Sequence, residues 1–171
     1  TQSVCIGMEE YEIVASLNST YTWSIIDQST GAPPVVGVAD ITLTANDWYI
    51  WVNFTISGTY ILSVLELDAN SCQGAIVELT ITVNALPTVT ASSNPVSPLC
   101  DGDDLTLNGG GATTYIWDNG VTDNTLFTPG VGTVLYTVTG TDVNSCENTA
   151  TISVTVNALP TVTASSNPVS P

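Results

Sequence analysis

The sequence predicts an all-β protein made of two β-sandwiches in tandem. Residues 82–98 and 155–171 have the same sequence, TVNALPTVTASSNPVSP. The anchor residues ahead of each copy also recur in the same order, and a repeated segment of this kind indicates an array of similar units. Short segments rich in Val, Ile, Thr, Tyr and Trp alternate with Gly, Asn, Asp and Pro along the whole chain. This pattern is typical of short strands joined by turns.

The first unit, residues 1–86, contains five segments with the composition of strands. Trp23 lies early in the unit, and Tyr60 opens the penultimate strand. These are the places of the core tryptophan and the tyrosine corner in an Ig-type sandwich. An insertion separates Trp23 from Tyr60, because the second unit spends fewer residues between its own Trp and Tyr. The predicted strands are 11–15, 20–26, 48–54, 59–67 and 75–83.

The second unit, residues 87–160, repeats the arrangement in a shorter form. Trp117 and Tyr136 take the places of Trp23 and Tyr60. Residues 84–87 form the joint between the units, since Pro87 lacks the N–H that a continuing strand ladder needs. The predicted strands are 88–91, 105–107, 113–117, 125–127, 134–139 and 150–156.

The two ends of the sequence are complementary. Only residues 1–4 precede Cys5, whereas the second unit has residues 88–98 ahead of Cys100, so the first unit lacks an opening strand. The tail 161–171 repeats that kind of segment and is expected to be the first strand of a following unit, through Thr161, Val162, Thr163, Ala164 and Ser165.

Two interpretations of these ends stay open. The chain is either a window of a longer tandem protein or a subunit that donates its tail strand to the next copy. In both cases the partners are neighbouring copies or further repeats of the same chain. The units then form a linear head-to-tail array, because head-to-tail contacts that do not close build open filaments.

Charge excludes several classes of function. The 171 residues include 16 acidic side chains and no Lys, Arg or His, which gives a net charge of −16. Nucleic acid and anionic membrane surfaces are therefore not expected as partners, because both are bound through basic side chains. We also expect no enzyme, since the usual general base and the cationic stabilisers of a transition state are missing. With 43% hydrophobic residues, the chain is nevertheless able to fold.

Four motifs occur in both units, namely Cys-x-Gly, Tyr-x-Trp, Asp-x-Asn-x-Cys and Thr-Val-Asn-x-Leu-Pro-Thr. This set resembles the tandem Ig-like and PKD-like repeats of giant cell-surface proteins of Bacteroidota, including gliding adhesins and type IX secretion cargo. The resemblance implies an extracellular or cell-surface stalk, spacer or adhesive module. In this chain Ser71 and Ser145 occupy the turn position where the family more often has Gly.

The four cysteines indicate disulfides in an oxidising compartment, because the chain has no His to complete a zinc site. Two pairings are open. Cys5 pairs with Cys72 and Cys100 with Cys146, or Cys5 pairs with Cys146 and leaves Cys72 and Cys100 for neighbouring copies. In an Ig-like order the two cysteines of one unit lie at opposite ends of a sandwich about 20 Å long, which disfavours the first pairing.

Clustered carboxylates raise the possibility of a Ca²⁺ site between stacked units, since Ca²⁺ prefers several oxygen ligands. The alternative is that these residues are ordinary turn formers. The candidate ligands are Glu9, Glu10, Asp101, Asp103, Asp104 and Asp142.

The insertion of the first unit contains an aromatic strand, residues 48–54. If Trp48, Ile50, Val52 and Phe54 face the core, Tyr49 and Trp51 face outward, where aromatic rings can stack on surface glycans. The alternative is that Tyr49 and Trp51 pack against a neighbouring strand or unit.

Overall fold

The computed structural model describes residues 1–34, 37–43 and 47–165. Two compact units are present. The first takes in Thr1–Pro87 together with Asp142–Cys146, and the second takes in Thr88–Thr141 and Glu147–Pro171. The division at Pro87 falls at the joint that the sequence indicates. The turn Asp142–Cys146 belongs with the first unit, although the repeat pattern places it in the second.

The first unit is a sandwich of two sheets. Its strands are β1 (Gln2–Cys5), β2 (Gly7–Glu12), β3 (Thr20–Asp27), β4 (Ala39–Leu43), β5 (Tyr49–Phe54), β6 (Gly58–Leu67) and β7 (Val77–Asn84). One sheet has the order β1-β7-β6-β3 and the other β2-β5-β4. Strand β1 runs parallel to β7, and the remaining pairs are antiparallel.

Alternation along β5 explains how the sandwich closes. Ile50, Val52 and Phe54 are fully buried, while the residues between them are half-buried on the opposite face. Buried residues of β6 and β7 face them across the sandwich and complete the core. Trp48 is an exception to the expected pattern. It precedes β5 and is 36% exposed, because the strand begins one residue after it.

Strand β2 lies closer to the N-terminus than the predicted segment 11–15. Pairing with β5 starts at Gly7 and ends at Glu12, and the Ile13 N–H then donates to the Trp48 carbonyl. Val14 is 99% exposed. The apolar run at 13–15 suggested a strand, but these residues leave the sheet at its end.

The second unit is also a sandwich of two sheets. Its strands are β8 (Thr90–Asn94), β9 (Leu99–Cys100), β10 (Leu105–Gly110), β11 (Thr114–Trp117), β12 (Leu126–Phe127), β13 (Gly132–Thr141) and β14 (Glu147–Asn157). The sheet orders are β12-β10-β8 and β11-β13-β14-β9. A single 3-10 turn, Asp118–Gly120, is the one helical element among the described residues. In that part of the chain no helix is long and apolar enough to cross a membrane.

The aromatic positions predicted for each core are occupied as expected. Trp117 is buried and Trp23 is half-buried against the core of its unit. Tyr60 is 1% exposed, and its hydroxyl donates to the Ile56 carbonyl at 2.9 Å, which is the tyrosine-corner contact. Each unit therefore has an immunoglobulin-like core.

The repeated Asp-x-Asn-x-Cys segments form the same turn. In the first, the Asp68 carboxylate accepts hydrogen bonds from the Asn70 and Cys72 N–H groups. These bonds lower the pKa of Asp68, and the bond from Cys72 is the largest cause. Ser71 and Ser145 adopt φ values of 63° and 65°, the left-handed conformation that Gly adopts most readily. Serine therefore supports this turn in both copies.

Candidate strand-acceptor site

An edge strand completes one sheet of the second unit. Strand β8 pairs antiparallel with β10, with Ala91 opposite Gly109 and Thr90 opposite Gly110. Val89 and Ala91 pack against the core of the unit, and β8 also contacts β14 in the other sheet. This strand covers both the edge of β10 and the open side of the sandwich.

The described residues of the first unit include no counterpart of β8. Strand β2 corresponds to β10, yet within the described residues it pairs with β5 alone. In the four-stranded sheet of an Ig-type sandwich this outer place belongs to the first strand, so the first unit is one strand short. Strand β1 does not fill the gap, because it pairs with β7 as β9 pairs with β14.

The core aromatics align the two units residue by residue. Phe54 packs on Tyr60 with ring centroids 5.2 Å apart, and Phe127 packs on Tyr136 at 5.9 Å. Phe54 pairs with Gly7, and Phe127 pairs with Leu105. Counting on from these partners, Glu10 corresponds to Asn108. Tyr11 and Glu12 correspond to Gly109 and Gly110.

A cleft occupies the place where β8 would lie. Two adjoining cavities of about 180 Å³ each open between β2 and the opposite sheet, and both are lined by Ile13, Val64 and Val77. Val77 is 63% exposed. The cavity that includes Tyr11 is lined by Tyr11, Glu12, Ile13, Trp23, Leu62, Val64, Val77 and Leu79. An apolar surface of this kind is what an edge strand normally covers.

Tyr11 contributes an unpaired polar atom to the cleft. The residue is 6% exposed, and its hydroxyl has no hydrogen-bond partner among the residues that the structure describes. Burial, and to a smaller extent the nearby Glu9 carboxylate, raise the pKa of Tyr11 to about 12. A buried donor without a partner is uncommon, since burial without a hydrogen bond is costly.

The rim of the cleft is polar and ordered by hydrogen bonds. The Ser16 N–H donates to the Tyr21 hydroxyl at 2.6 Å, and that hydroxyl contacts the Glu66 carboxylate at 3.4 Å. Hydrogen bonds from Ser19, Ser16 and Tyr21 lower the pKa of Glu66. The rim therefore remains anionic at neutral pH.

The described part of the repeated tail, residues 161–165, forms no strand. Residues 161–165 have the sequence of residues 88–92, which include the first part of β8, but they form no strand and are exposed. Val162 is 89% exposed, whereas its counterpart Val89 packs on a core. The remainder of the predicted strand, residues 166–171, lies outside the described residues.

The cysteines pair in one of the two ways that the sequence left open. Cys5 and Cys146 form a disulfide with Cα atoms 5.6 Å apart, while Cys72 and Cys100 are free and exposed. The pairing of Cys5 with Cys72 and of Cys100 with Cys146 is wrong. Cys5 lies beside the Gly58 end of β6, and Cys72 follows the other end of that ten-residue strand, about 30 Å away.

Among the described residues, no group of three or more His, Cys, Asp or Glu side chains is arranged to hold a metal ion. Asp103 accepts the Cys100 N–H at 2.8 Å, and Asp142 accepts the Asn144 and Cys146 N–H groups. Asp104 contacts the Thr128 hydroxyl. The expected calcium ligands Asp103 and Asp142 cap turns, and Glu9, Glu10 and Asp101 are not grouped with them.

Tyr49 and Trp51 lie on the face of β5 opposite the core, and both are half-buried. Trp51 pairs with Glu10 on one side and Thr42 on the other, while Tyr49 pairs with Glu12. Tyr49 also contacts the Trp48 ring at a centroid distance of 4.9 Å. The first unit thus has an outer sheet face on which aromatic and carboxylate side chains alternate.

Sequence reasoning missed the cleft itself. Tyr11 fell within the predicted strand 11–15, and Val64, Val77 and Leu79 fell within the predicted strands 59–67 and 75–83. The available signal was the repeat of residues 88–92 at 161–165, which indicates an edge strand but not the surface that it covers.

Comparisons with known proteins give only distant matches. No protein-family model matches the chain, and no curated protein matches it. Solved structures that resemble it include fibronectin(III)-like modules of Clostridium thermocellum CbhA, at 10% identity and a TM-score of 0.39, covering 96% of this chain and 94% of that one. The four N-terminal Ig domains of Dscam1 align at 15% identity and a TM-score of 0.36, over 92% of this chain.

A third structure is the SGBP-B protein of a Bacteroides ovatus mixed-linkage glucan utilization locus, in complex with a mixed-linkage heptasaccharide. It aligns at 18% identity and a TM-score of 0.35, over 90% of this chain. The chain spans 42% of the Dscam1 and SGBP-B chains. The fold assignment therefore rests on the strand order and core of the chain itself.

Proposed function

We propose that the chain is a structural repeat of an extracellular filament or adhesin stalk, which spaces or presents adhesive modules at a cell surface. The observation that carries this proposal is the open edge of β2 in the described part of the first unit, together with residues 161–165, which repeat residues 88–92 and form no strand. An open sheet edge, in a chain that repeats the segment which covers the corresponding edge of its second unit, is suited to continued assembly.

The chemistry of the chain supports an extracellular place for this assembly. The Cys5–Cys146 disulfide requires an oxidising environment. The net charge of −16 keeps separate stalks apart by repulsion. We include no catalytic activity in the proposal.

Immunogold electron microscopy of the producing cells tests this function directly. Antibodies raised against the folded chain are expected to label filaments or stalks outside intact cells, and protease added to intact cells is expected to remove the label. Labelling only after the cells are permeabilised would refute the extracellular role. A cytosolic protein serves as the control for cell integrity.

A second candidate function is carbohydrate binding through the outer face of β5. The observation that favours it is the placement of Tyr49 and Trp51 beside Glu10 and Glu12, because aromatic faces stack on sugar rings and carboxylates accept hydrogen bonds from hydroxyl groups. This function predicts a glycan ligand on an array probed with the full chain. Trp51→Ala should lose that ligand, whereas Leu135→Ala, a change at an exposed apolar residue of the second unit, should keep it. Equal binding by both variants would place the ligand elsewhere.

A further inference from the structure

We infer that the cleft of the first unit accepts residues 161–165 of a second copy of this chain as an added antiparallel strand, and that Cys100 of the donor copy and Cys72 of the acceptor copy then form a disulfide. This inference rests on the proposed filament function and names the partner of its open site. The occupant is identified by sequence, because residues 161–165 are identical to residues 88–92. In the second unit those residues already fill the corresponding place, with Thr90, Ala91 and Ser92 paired to β10.

The alignment of the two units fixes the register of the added strand. Ser92, Ala91 and Thr90 lie opposite Asn108, Gly109 and Gly110. Transferred to the acceptor, this register places Ser165 opposite Glu10, Ala164 opposite Tyr11 and Thr163 opposite Glu12. Ala164 and Val162 then face the cleft as Ala91 and Val89 face the core of the second unit.

Two features of the acceptor match this strand. The free edge of β2 offers backbone N–H and C=O groups that a new strand can pair. The second feature is the apolar lining of the cleft beside Tyr11, which lies opposite Ala164 in the inferred register. Addition of the strand therefore covers part of the apolar lining and pairs the open edge of β2.

The register also sets a limit. In the second unit Gly111 has a φ of 84°, and a Cβ there would stand 1.8 Å from the Thr88 carbonyl oxygen. Ile13 occupies the corresponding place in the acceptor. The added strand therefore pairs with β2 only as far as Thr163 opposite Glu12, and the Thr161 carbonyl lies farther from Ile13 than the Thr88 carbonyl lies from Gly111.

The cysteines follow the same repeat. Cys5 and Cys100 each end a short strand that runs parallel to the last strand of a sandwich, opposite Asn84 and Asn157. Cys72 and Cys146 each end an Asp-capped turn in which the Asp carboxylate accepts the Cys N–H. The existing disulfide joins one cysteine of each kind.

One cysteine of each kind, Cys100 and Cys72, is left free. When they react, two Sγ–H bonds break and one Sγ–Sγ bond forms. The two electrons and two protons pass to a disulfide oxidant such as oxidised glutathione, which becomes two thiols. The proposed disulfide between two copies thus joins Cys100 and Cys72 in the same way that the existing disulfide joins Cys5 and Cys146.

Site-directed cross-linking tests the strand and its register. In a chain with Cys72→Ser and Cys100→Ser, the pair Glu12→Cys and Thr163→Cys is expected to form covalent dimers and longer ladders with oxidised glutathione on a non-reducing gel. The matched off-register pair, Glu10→Cys with Thr163→Cys, should cross-link at least about tenfold less, because a shift of two residues separates the side chains by about 7 Å. Adding Val162→Asp should suppress the in-register ladder, and Val131→Asp, at an exposed site of the second unit, should not.

Each contrary result overturns a named part of the inference. A cross-link within single chains would show that residues 161–165 bind the cleft of their own chain and not that of a second copy. Equal cross-linking yields for the two cysteine pairs would refute the register. In the unmodified chain, oxidised glutathione should produce ladders joined through Cys72 and Cys100 in peptide mapping, and ladders joined through two Cys72 residues would refute that pairing. If antibodies label surface filaments but the cross-linking fails, the proposed function is still supported and only the strand-donation mechanism is refuted.

Discussion

Replacing Tyr11 by Phe is expected to stabilise the first unit, which is unusual for a change at a buried residue. The ring and its contacts are kept, and only the hydroxyl is lost. That hydroxyl is buried without a partner among the described residues, in a side chain that is 6% exposed. Since an unsatisfied buried donor costs about 1–3 kcal/mol, Tyr11→Phe should raise the free energy of unfolding by about 1 kcal/mol or more.

Tyr60→Phe is the matched control with the opposite sign. The Tyr60 hydroxyl donates to the Ile56 carbonyl at 2.9 Å in a side chain that is 1% exposed. Losing that bond should lower the free energy of unfolding by about 0.5–1.5 kcal/mol. The two variants should therefore differ by about 2 kcal/mol, or about 1 M in the urea midpoint for an m-value near 2 kcal/mol/M.

Urea unfolding of the monomeric chain, followed by tryptophan fluorescence, measures this difference. The first unit contains Trp23, Trp48 and Trp51, so its unfolding dominates the signal. The reasoning about the cleft would be refuted if Tyr11→Phe destabilised the chain as much as Tyr60→Phe does, because the Tyr11 hydroxyl would then already have a partner.

Four further predictions concern the core, the titration of the cleft, the composition and the charge. Phe54→Ala should cost about 3–5 kcal/mol of unfolding free energy while Asn53→Ala stays within about 0.5, since Phe54 is fully buried and Asn53 is not; urea midpoints measure both. Stability should fall as the pH rises from about 10, where unfolded tyrosine ionises, to about 12, the pKa of folded Tyr11, and thermal melts should show a smaller fall in Tyr11→Phe. Trypsin should leave even the reduced, unfolded chain intact on a gel, because the chain has no Lys or Arg. Added NaCl should increase the oligomer fraction in sedimentation velocity, because it screens the repulsion between chains of charge −16; an unchanged fraction would argue against that repulsion.

The architecture of each unit was predictable because its signals are local or repeated. The alternation of β5, the position of Tyr60 and the turn that contains Ser71 all follow from short sequence patterns. The start of β2 was not predictable in the same way. The inward-facing residues of β2 are Gly7, Glu9 and Tyr11, and this mixture has no clear apolar periodicity. The strand was therefore predicted at 11–15, where residues 13–15 are apolar.

The candidate site was predictable in part. The repeat of residues 88–92 at 161–165 points to an edge strand of the kind that β8 forms. The sequence could not tell which sheet edge is open, because β1 is present and pairs with β7 on the opposite sheet. The disulfide partner of Cys5 was undecided for a similar reason, since it depends on contacts that are distant in sequence, with 141 positions separating Cys5 from Cys146.

The energetics of the added strand explain why free cysteines accompany it. Residues 161–165 bring only Val162 and Ala164 to an apolar surface, and burying a valine contributes at most about 1.5–3 kcal/mol. The few ladder hydrogen bonds add about 0.5–1.5 kcal/mol each. Association costs an estimated 4–15 kcal/mol in lost freedom, and the two chains of charge −16 repel one another. The strand alone therefore gives a weak, reversible contact between separate copies.

A disulfide between Cys100 and Cys72 removes this weakness. Once the disulfide has formed, the strand and the cleft belong to one covalently linked molecule, so rebinding of the strand no longer carries the entropy cost of bringing two separate chains together. On this argument the strand determines where a second copy binds, and the disulfide determines whether it stays bound.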